Sequence, residues 1–358
     1  MRFGISIYPG LELSGAEQQA LLRLASARGV TRLFTSLHLP ETKPESFIAE
    51  GRALLQAARD LGFDIIADVS PAALKTLNLE RFEADAFAAF GIRTLRLDDG
   101  FSPAEIARFS HNAVGLRLQL NASTLNRSDL DELKSLGADF SHFDALHNFY
   151  PRPGTGLSLS FFRQQNDMLR QYGISVGAFI SSSARRRPPL YAGLPTLEFH
   201  REMPVSLTAR HLAALGVESI FIGDERPSEE ELSQLTAIDP DVIGLHARLF
   251  PAGKPLQKFL QQPFTARPDV ARDAIRTLES RERSRRLSPI VPANTVARLY
   301  GAVTLDNREY PRYAGELQII KRPQPADPRT NVIAQVVPEE HFLLSLITPG
   351  KKFTFYFE

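Results

Sequence analysis

Residues 46–62, SFIAEGRALLQAARDLG, run directly into residues 63–70, FDIIADVS, and the two stretches differ in their hydrophobic period. In the first stretch, Leu54, Ala58 and Leu61 recur at spacings of four and three, which places them on one face of an α-helix that ends near a glycine. The second stretch is a nearly continuous apolar run, typical of parallel strands that are buried on both faces. Together they predict one helix-and-strand unit of an α/β fold.

The same alternation is repeated through roughly the first two-thirds of the chain. Strand patterns occur at 3–8, 31–37, 63–70, 94–99, 115–123, 140–149, 174–181 and 219–225, and the helical patterns between them include 15–29, 46–62, 158–173 and 206–216. Parallel strands need such helical crossovers. Eight units within about 240 residues match a (β/α)8 TIM barrel in number and length, with a doubly wound open sheet as the alternative.

The alternation stops near Ile238, where AIDPDVIG (237–244) has the composition of a domain boundary. Short strand patterns separated by turns follow: DVIGLHARLF, TVARLYGAVTL, GELQIIK, NVIAQVV and KKFTFYF. We therefore predict a barrel domain over 1–238 and a small, mostly β domain over 239–358. Segment 267–288 is predicted to be a helix followed by a basic connection, and its arginines form either a solvated face or a phosphate contact.

Composition and charge exclude several classes of function. The 358 residues carry a formal net charge of +1, which gives no electrostatic reason to expect nucleic acid or an anionic membrane as a partner. The absence of cysteine excludes disulfides, thiolate catalysis and cysteine-based metal sites. The first residues, MRFGISIYPG, lack the apolar core of a signal peptide, and no apolar run reaches membrane-spanning length. We expect a soluble, cytoplasmic protein.

Polar side chains collect where the predicted barrel strands end. These residues are Tyr8, His38, Glu41, Asp68, Asp98, Asp99, Asn121, His147, Asn148, Arg152, Ser181–Ser183 and Asp224. The loops at the other end of the strands are generic, as in RGV and LGFD. Barrel enzymes place their chemistry at the carboxyl ends of the strands, so this asymmetry predicts an active site there, although polar residues also cap helices at these positions.

Two long loops on the same face carry further candidates. HNFYPRPGTGLS (147–158) presents Arg152 either as part of a rigid connector or as an anion-binding wall of a pocket. SSSARRRPPLYAGLPTLEFHRE (181–202) follows the seventh strand, a common place for phosphate sites in barrels, and carries Glu198, His200 and Arg201. Arg201 or its neighbours either contact substrate or form a salt bridge within the loop.

No cofactor and no metal is expected. The histidines are scattered without a His-x-His or His-x₃-His pair, and no Walker or Rossmann glycine loop follows a strand. A Gly-x-Ser-x-Gly elbow is also absent.

The fourth predicted strand ends on two adjacent aspartates, in TLRLDDG (94–100). Asp-Gly favours turns for conformational reasons, which is one explanation of the pair. The other explanation is catalytic. Neighbouring residues of a strand point in different directions, and two close carboxylates push the pKa of one of them upward.

Several longer motifs resemble the bacterial 6-phospho-N-acetylmuramidases of the MupG type. They are GISIYPG, LRLDDGF, LNAS, HNFYPRPGTGLS, LPTLEFHR and GAVTLDNREYPRYAGELQI, and the similarity runs through nearly the whole chain. The resemblance implies a cytoplasmic enzyme of cell-wall recycling, built as a barrel with a cyclophilin-like β domain. It implies cleavage of the β-1,4 bond between N-acetylmuramic acid 6-phosphate and N-acetylglucosamine, so that the partner is a small phosphorylated amino-sugar disaccharide.

Two glycosidase mechanisms remain open under this resemblance. In the first, the 2-acetamido group of the substrate is the nucleophile, Asp98 orients it, and Asp99 acts as acid and then as base. In the second, a conventional carboxylate pair is drawn from Asp68, Asp98, Asp99, Glu198 and Asp224. The remaining predicted site residues, Tyr8, Asn121, His147, Asn148, Arg152, His200 and Arg201, are assigned to substrate binding.

Other classes of function also stay open. The barrel could house a phosphosugar isomerase or aldolase, or the protein could bind a sugar phosphate without turnover. A Schiff-base aldolase needs a lysine at a strand end, and none of the few barrel lysines closes a predicted strand. Whether the protein is a homo-oligomer is not decided by the sequence.

Overall fold

The computed structural model describes residues 1–36, 44–69, 83–97, 100–250, 254–287 and 289–357, with the backbone alone over 44–49. The chain divides into two compact units: Met1–Leu212 with Gly216–Ile238, and Ala213–Leu215 with Asp239–Glu358.

The first unit is a closed barrel of eight parallel strands in sequence order. The strands are β1 Arg2–Ser6, β2 Arg32–Ser36, β3 Asp64–Val69, β4 Ile92–Leu97, β5 Arg117–Asn121, β6 Phe143–Leu146, β7 Ser175–Ile180 and β8 Ser219–Ile222. Strand β8 pairs with β1, which closes the sheet. The predicted TIM barrel is confirmed, and the doubly wound open sheet is wrong.

The helices alternate with these strands as their periodicity predicts. They are α1 Gly15–Ala27, α2 Pro44–Asp60, α3 Ala84–Ala89, α4 Pro103–Phe109, α5 Arg127–Ser135, α6 Leu159–Gln171, α7 Val205–Ala214 and α8 Glu229–Thr236. Several begin with a reciprocal capping box, as Ser14 with Glu17 and Ser228 with Glu231 do. Such caps satisfy the first backbone N–H groups of a helix at the point where the chain leaves the carboxyl end of a strand.

One predicted strand is shorter than its sequence pattern. Residues Phe140–His142 form a 3₁₀ turn instead of the start of β6, and Asp139 caps it by accepting a hydrogen bond from the Ser141 N–H. The side-chain cap offers this backbone an alternative to the sheet, which overrides the apolar alternation of the stretch.

The interior of the barrel has a polar layer at the amino-terminal end of the strands. Arg32 is 1% exposed and donates to Asp64, Asp144 and Ser219, each at 3.0 Å. Gln119 donates to the second oxygen of Asp144 at 3.0 Å. These contacts join β2, β3, β5, β6 and β8 across the interior.

At one interior position, only glycine fits. A Cβ on Gly4 of β1 would lie 2.2 Å from the ring of Phe221 on the paired strand β8. The ring of Phe221 therefore fills the space beside β1, as close packing of a barrel interior requires.

The second unit is built on a mostly antiparallel sheet of seven strands, in the order β10-β15-β9-β14-β12-β13-β11. Its strands are β9 Val242–Leu249, β10 Phe264–Thr265, β11 Ala274–Arg276, β12 Ala302–Asp306, β13 Leu317–Ile320, β14 Thr330–Val336 and β15 Lys352–Tyr356, and its helices are α9 Lys254–Leu260 and α10 Ser280–Arg283. The predicted β-rich domain is confirmed.

The helix predicted over 267–288 is wrong. Ala274–Arg276 is strand β11, which pairs with β13, and only Ser280–Arg283 is α-helical before a 3₁₀ turn over Ser284–Leu287. Ala274 and Ile275 are buried. The long-range pairing of this apolar pair with the sheet outweighs the local helical pattern.

Candidate functional site

The barrel mouth, meaning the carboxyl ends of β1–β8 and the loops that follow them, carries most of the predicted site residues. Tyr8 follows β1, Asp68 lies in β3, Asn121 ends β5, His147 and Asn148 follow β6, and Asp224 follows β8. In a closed parallel barrel these positions share one face. Asp98, Asp99, His38 and Glu41 lie outside the described residues.

Aromatic side chains form the floor of the mouth. Tyr8, Phe34 and Phe179 belong to one buried cluster, and Phe149 packs on it from the loop after β6. The ring of Phe149 lies 6.3 Å from that of Tyr8 and 5.1 Å from that of Phe179, both edge to face. Burial raises the pKa of Tyr8, and its hydroxyl donates to the Gly223 carbonyl at 3.2 Å. Tyr8 is therefore part of the floor.

Arg96 connects three sides of the mouth. It projects from β4 and is buried, and it donates to the Leu146 carbonyl at 2.7 Å and to the Asn148 side chain at 2.5 Å. Its Nε lies 3.9 Å from the Asp68 carboxylate. Two predicted residues, Asp68 and Asn148, are thus brought together by an arginine that the sequence analysis did not select.

His147 is buried and neutral. Its Nδ1 lies 3.1 Å from the Ser123 hydroxyl and its Nε2 lies 2.8 Å from Asn166 Oδ1. Burial lowers its pKa to about 4. Asn121 uses its side-chain oxygen to accept from the Ser123 N–H at 3.1 Å. These partners give both residues a role in shaping the loops after β5 and β6.

Glu198 holds the two long loops together. Its carboxylate accepts from the backbone N–H groups of Gly154 and Gly156, each at 2.8 Å, and forms two hydrogen bonds with Arg201. The hydrogen bond from Arg201, then those from the two glycines, lower its pKa to about 2. We name this cluster of Glu198, Arg201, Gly154 and Gly156 the loop staple.

Arg201 is fully engaged within the staple. The remaining donors of its buried guanidinium reach the backbone carbonyls of Ala192, Gly193, Tyr150 and Arg152 at 2.9–3.3 Å. Arg152, by contrast, is exposed. Of the two arginines expected to bind an anion, Arg201 thus makes its contacts within the two loops, including a salt bridge with Glu198.

Asp224 fixes the start of the loop after β7. Its two oxygens accept from the backbone N–H groups of Ser182 and Arg187, each at 2.8 Å. Burial raises its pKa. His200 is likewise enclosed, 2.7 Å from His211, and burial lowers its pKa well below the usual value. The contacts of Asp224 and His200 thus hold the long loop after β7 in place.

Glu225 and Arg187 are mouth residues that the sequence analysis missed. Glu225 is 3% exposed and accepts from the Tyr8 N–H at 3.3 Å, and burial raises its pKa to about 7. The guanidinium carbon of Arg187 lies 4.3 Å from the centre of the Tyr8 ring and 5.7 Å from that of Phe149. A buried carboxyl with a pKa near neutrality beside an arginine is typical of functional sites.

The described residues contain no group of three or more His, Cys, Asp or Glu side chains arranged to hold a metal ion. No helix within the described ranges is both long and apolar enough to cross a membrane.

In the second unit, an arginine-rich cavity of about 720 Å³ is lined in part by Arg281, Arg285, Arg308 and Arg312. Arg281 and Arg285 come from the basic segment 267–288. The cavity keeps open both interpretations of that segment, a solvated face and a phosphate contact.

The closed barrel, with its polar side chains gathered at one mouth, defines the class as a TIM-barrel protein with a candidate site at the carboxyl face. Residues 3–237 match the family described as 6-phospho-N-acetylmuramidase, N-terminal, and residues 250–356 match 6-phospho-N-acetylmuramidase, C-terminal. The chain belongs to this 6-phospho-N-acetylmuramidase family, as its motifs predicted.

Two solved structures resemble the chain over its length. An uncharacterized protein of B. cereus is 30% identical, with a TM-score of 0.88 and 99% of each chain covered. A conserved protein of unknown function from Enterococcus faecalis is 32% identical, with a TM-score of 0.73, covering 100% of this chain and 97% of that one. Among proteins with curated functions, no match is found.

Proposed function

We propose that the protein is a cytoplasmic glycosidase of peptidoglycan recycling that cleaves the β-1,4 bond between N-acetylmuramic acid 6-phosphate and N-acetylglucosamine. The observation that carries this proposal is the match of both units to the 6-phospho-N-acetylmuramidase family. The partly exposed ring of Phe149, which packs on the aromatic floor, supports it, because apolar faces of sugar rings pack on aromatic side chains while arginines bind acidic groups.

Two of the five carboxylates proposed for catalysis are already engaged. Glu198 is held by two backbone N–H groups and Arg201, and Asp224, which follows β8, accepts from the backbone of the loop after β7. A carboxylate whose pKa is lowered to about 2, as in Glu198, is a poor proton donor near neutral pH. These contacts favour a catalytic pair drawn from Asp68, Asp98 and Asp99.

Within that set we propose the acetamido-assisted mechanism. Asp98 orients the 2-acetamido group of the substrate and stabilises the charge that develops on it. Asp99 protonates the leaving oxygen and then activates water. Neither step needs a metal or an organic cofactor.

The test is turnover of the phosphorylated disaccharide by the purified protein, with products identified by mass spectrometry. We expect a kcat/KM at least about 100-fold higher than for the unphosphorylated disaccharide, because charge-assisted contacts to the phosphate are lost in the latter. Equal turnover of the two would contradict the phosphosugar assignment. Tight binding without turnover would favour the sugar-phosphate-binding alternative.

The acetamido-assisted mechanism is tested in the same turnover assay with variants of the two aspartates. Asp98→Asn should lower kcat for every leaving group, whereas Asp99→Asn should lower kcat most for poor leaving groups, since activated aryl leaving groups scarcely need protonation. A substrate with hydroxyl in place of the 2-acetamido group should be nearly inert. A trapped covalent glycosyl-enzyme on a carboxylate would show instead that the protein supplies the nucleophile.

A further inference from the structure

Arg187 presents guanidinium N–H groups that have no acceptor among the described residues. Its Nε and Nη1 are buried and make no hydrogen bond to any residue that the structure describes. A buried donor without a partner costs about 1–3 kcal/mol, and more when the group is charged. An arrangement of this kind is stable only where other contacts hold the residue in place or where an acceptor from outside completes it.

The surroundings of Arg187 hold the residue without satisfying its N–H groups. Its backbone N–H donates to Asp224 at 2.8 Å, which fixes the chain at this point. The rings of Tyr8 and Phe149 lie 4.3 Å and 5.7 Å from the guanidinium carbon. Aromatic rings stabilise the charge of a guanidinium through its flat face, and the N–H groups in its plane remain available.

Neighbouring arginines of the same loop differ from Arg187 in this respect. Arg185 forms a salt bridge with Glu12 at 3.0 Å, and Arg186 forms two hydrogen bonds with Glu202 at 3.0 and 2.7 Å. The charge of Arg187 lowers the pKa of Glu225, but burial has the larger effect and raises it. Among the contacts between described residues, Arg187 is therefore the one of the three consecutive arginines without a hydrogen bond to a carboxylate.

We propose that Arg187 binds an acidic oxygen group of the substrate, of the phosphate monoester or carboxylate class, at the barrel mouth. This inference rests on the proposed function, because N-acetylmuramic acid 6-phosphate carries one group of each class. The aromatic rings hold the guanidinium in place, and the incoming anion supplies the acceptors that the described part of the chain lacks.

The experiment compares Arg187→Gln with the wild type and with Arg185→Gln, a matched control on the same loop. Three disaccharides are assayed: one with phosphate and carboxylate, one with carboxylate only, and one with phosphate only. Arg187→Gln should lower kcat/KM about 10- to 100-fold for substrates that carry the contacted group and less than about 3-fold for the one that lacks it. The pattern across the three identifies the group. Arg185→Gln should stay within about 3-fold of the wild type throughout.

An equal loss on all three substrates would show a purely structural role and overturn the proposal, as would no loss on any. Anion binding is measured separately as the rise in melting temperature with inorganic phosphate or lactate. At least one of these probes should stabilise the wild type and Arg185→Gln but not Arg187→Gln. If the wild type cleaves none of the disaccharides, the proposed function fails, and this binding comparison still decides the role of Arg187. Equal stabilisation of all three proteins would contradict it.

Discussion

At the scale of single residues, the acids of the mouth divide by what their oxygens accept. Glu198 and Asp224 accept backbone N–H groups from neighbouring loops, whereas Glu225 accepts only the Tyr8 N–H among the hydrogen bonds described and is nearly enclosed. Backbone donors favour the charged form of a carboxyl, and burial favours the neutral form. The hydrogen bonds from Arg201, then those from the two glycines, lower the pKa of Glu198 to about 2. Burial outweighs the backbone donors of Asp224 and raises its pKa, and burial raises the pKa of Glu225 to about 7.

Glu225 should make the stability of the protein fall as the pH rises. Its pKa is raised from 4.5 to about 7 on folding, so between these values the folded state binds more protons than the unfolded state. The free energy of unfolding then decreases through this window, by at most on the order of 3 kcal/mol. Glu225→Gln mimics the neutral form and should lose the decrease.

Urea denaturation at pH 5, 6, 7 and 8 checks this prediction. The stability of Glu225→Gln relative to the wild type should be greater at pH 8 than at pH 5. Parallel stability profiles for the two proteins would show that Glu225 titrates as an exposed carboxyl does.

The sequence shows which acidic residues follow strands, but it does not show which of them are free to act on a substrate. An aspartate that faces a cavity and one that accepts N–H groups from a loop have the same local sequence, because the donors come from distant segments. Glu198, for example, meets Gly154 and Gly156 over more than forty residues. For the same reason, the sequence of three consecutive arginines, 185–187, does not show that Arg187 has different contacts from Arg185 and Arg186.

At the scale of elements, the loop staple makes the loops after β6 and β7 depend on each other. A Cβ on Gly156 would lie 2.6 Å from Oε2 of Glu198 and 2.7 Å from its backbone N. The backbone atom cannot move away as a flexible side-chain end can, so the two loops must separate to admit a methyl group.

Gly156→Ala should therefore destabilise the protein by about 1–3 kcal/mol and speed amide exchange at residues 154–156. Gly15→Ala is the matched control, since its Cβ would meet nothing within 4 Å and it lies at the start of α1, where alanine favours the helix. Hydrogen exchange and urea denaturation of both variants check the prediction. Equal behaviour of the two would mean that the loops relax at no cost.

Elements were predicted best where the local pattern and the tertiary structure agree. The barrel strands are nearly continuous apolar runs between amphipathic helical stretches, so the hydrophobic pattern of the sequence identified them. Strand β11 was missed because its pairing with β13, some forty residues later, and not its local sequence, makes it extended. The arginine-rich sequence of 267–288 is compatible with a helix, and only the pairing of β11 with β13 shows that Ala274–Arg276 is extended.

At the scale of the whole molecule, the polar layer around Arg32 ties strands across the barrel that are far apart in sequence. Arg32→Met would leave Asp144, whose side chain is 3% exposed, without its closest cation. Removing one member of a buried ion pair costs about 3–5 kcal/mol, because the other charge stays buried. We expect the free energy of unfolding to fall by about 3 kcal/mol, since Arg2 also lies 3.6 Å from Asp144.

Arg28→Met provides the control for this change. Arg28 is 43% exposed and pairs with Glu229 on the surface, so its removal should alter stability by no more than about 0.5 kcal/mol. Chemical denaturation of both variants measures the difference. A loss as small for Arg32→Met as for Arg28→Met would show that water reaches the polar layer.

The aromatic floor also gives the mouth an optical property. The chain contains no tryptophan, so Phe149→Trp would create a single indole emitter, packed on Tyr8 and Phe179 and facing the Arg187 guanidinium. Its emission wavelength and intensity depend on the local field and on access of water. The change of charge when an anion reaches Arg187 would then be recorded as a fluorescence signal, and the rates of ligand arrival and departure could be followed in a stopped-flow instrument without any added dye.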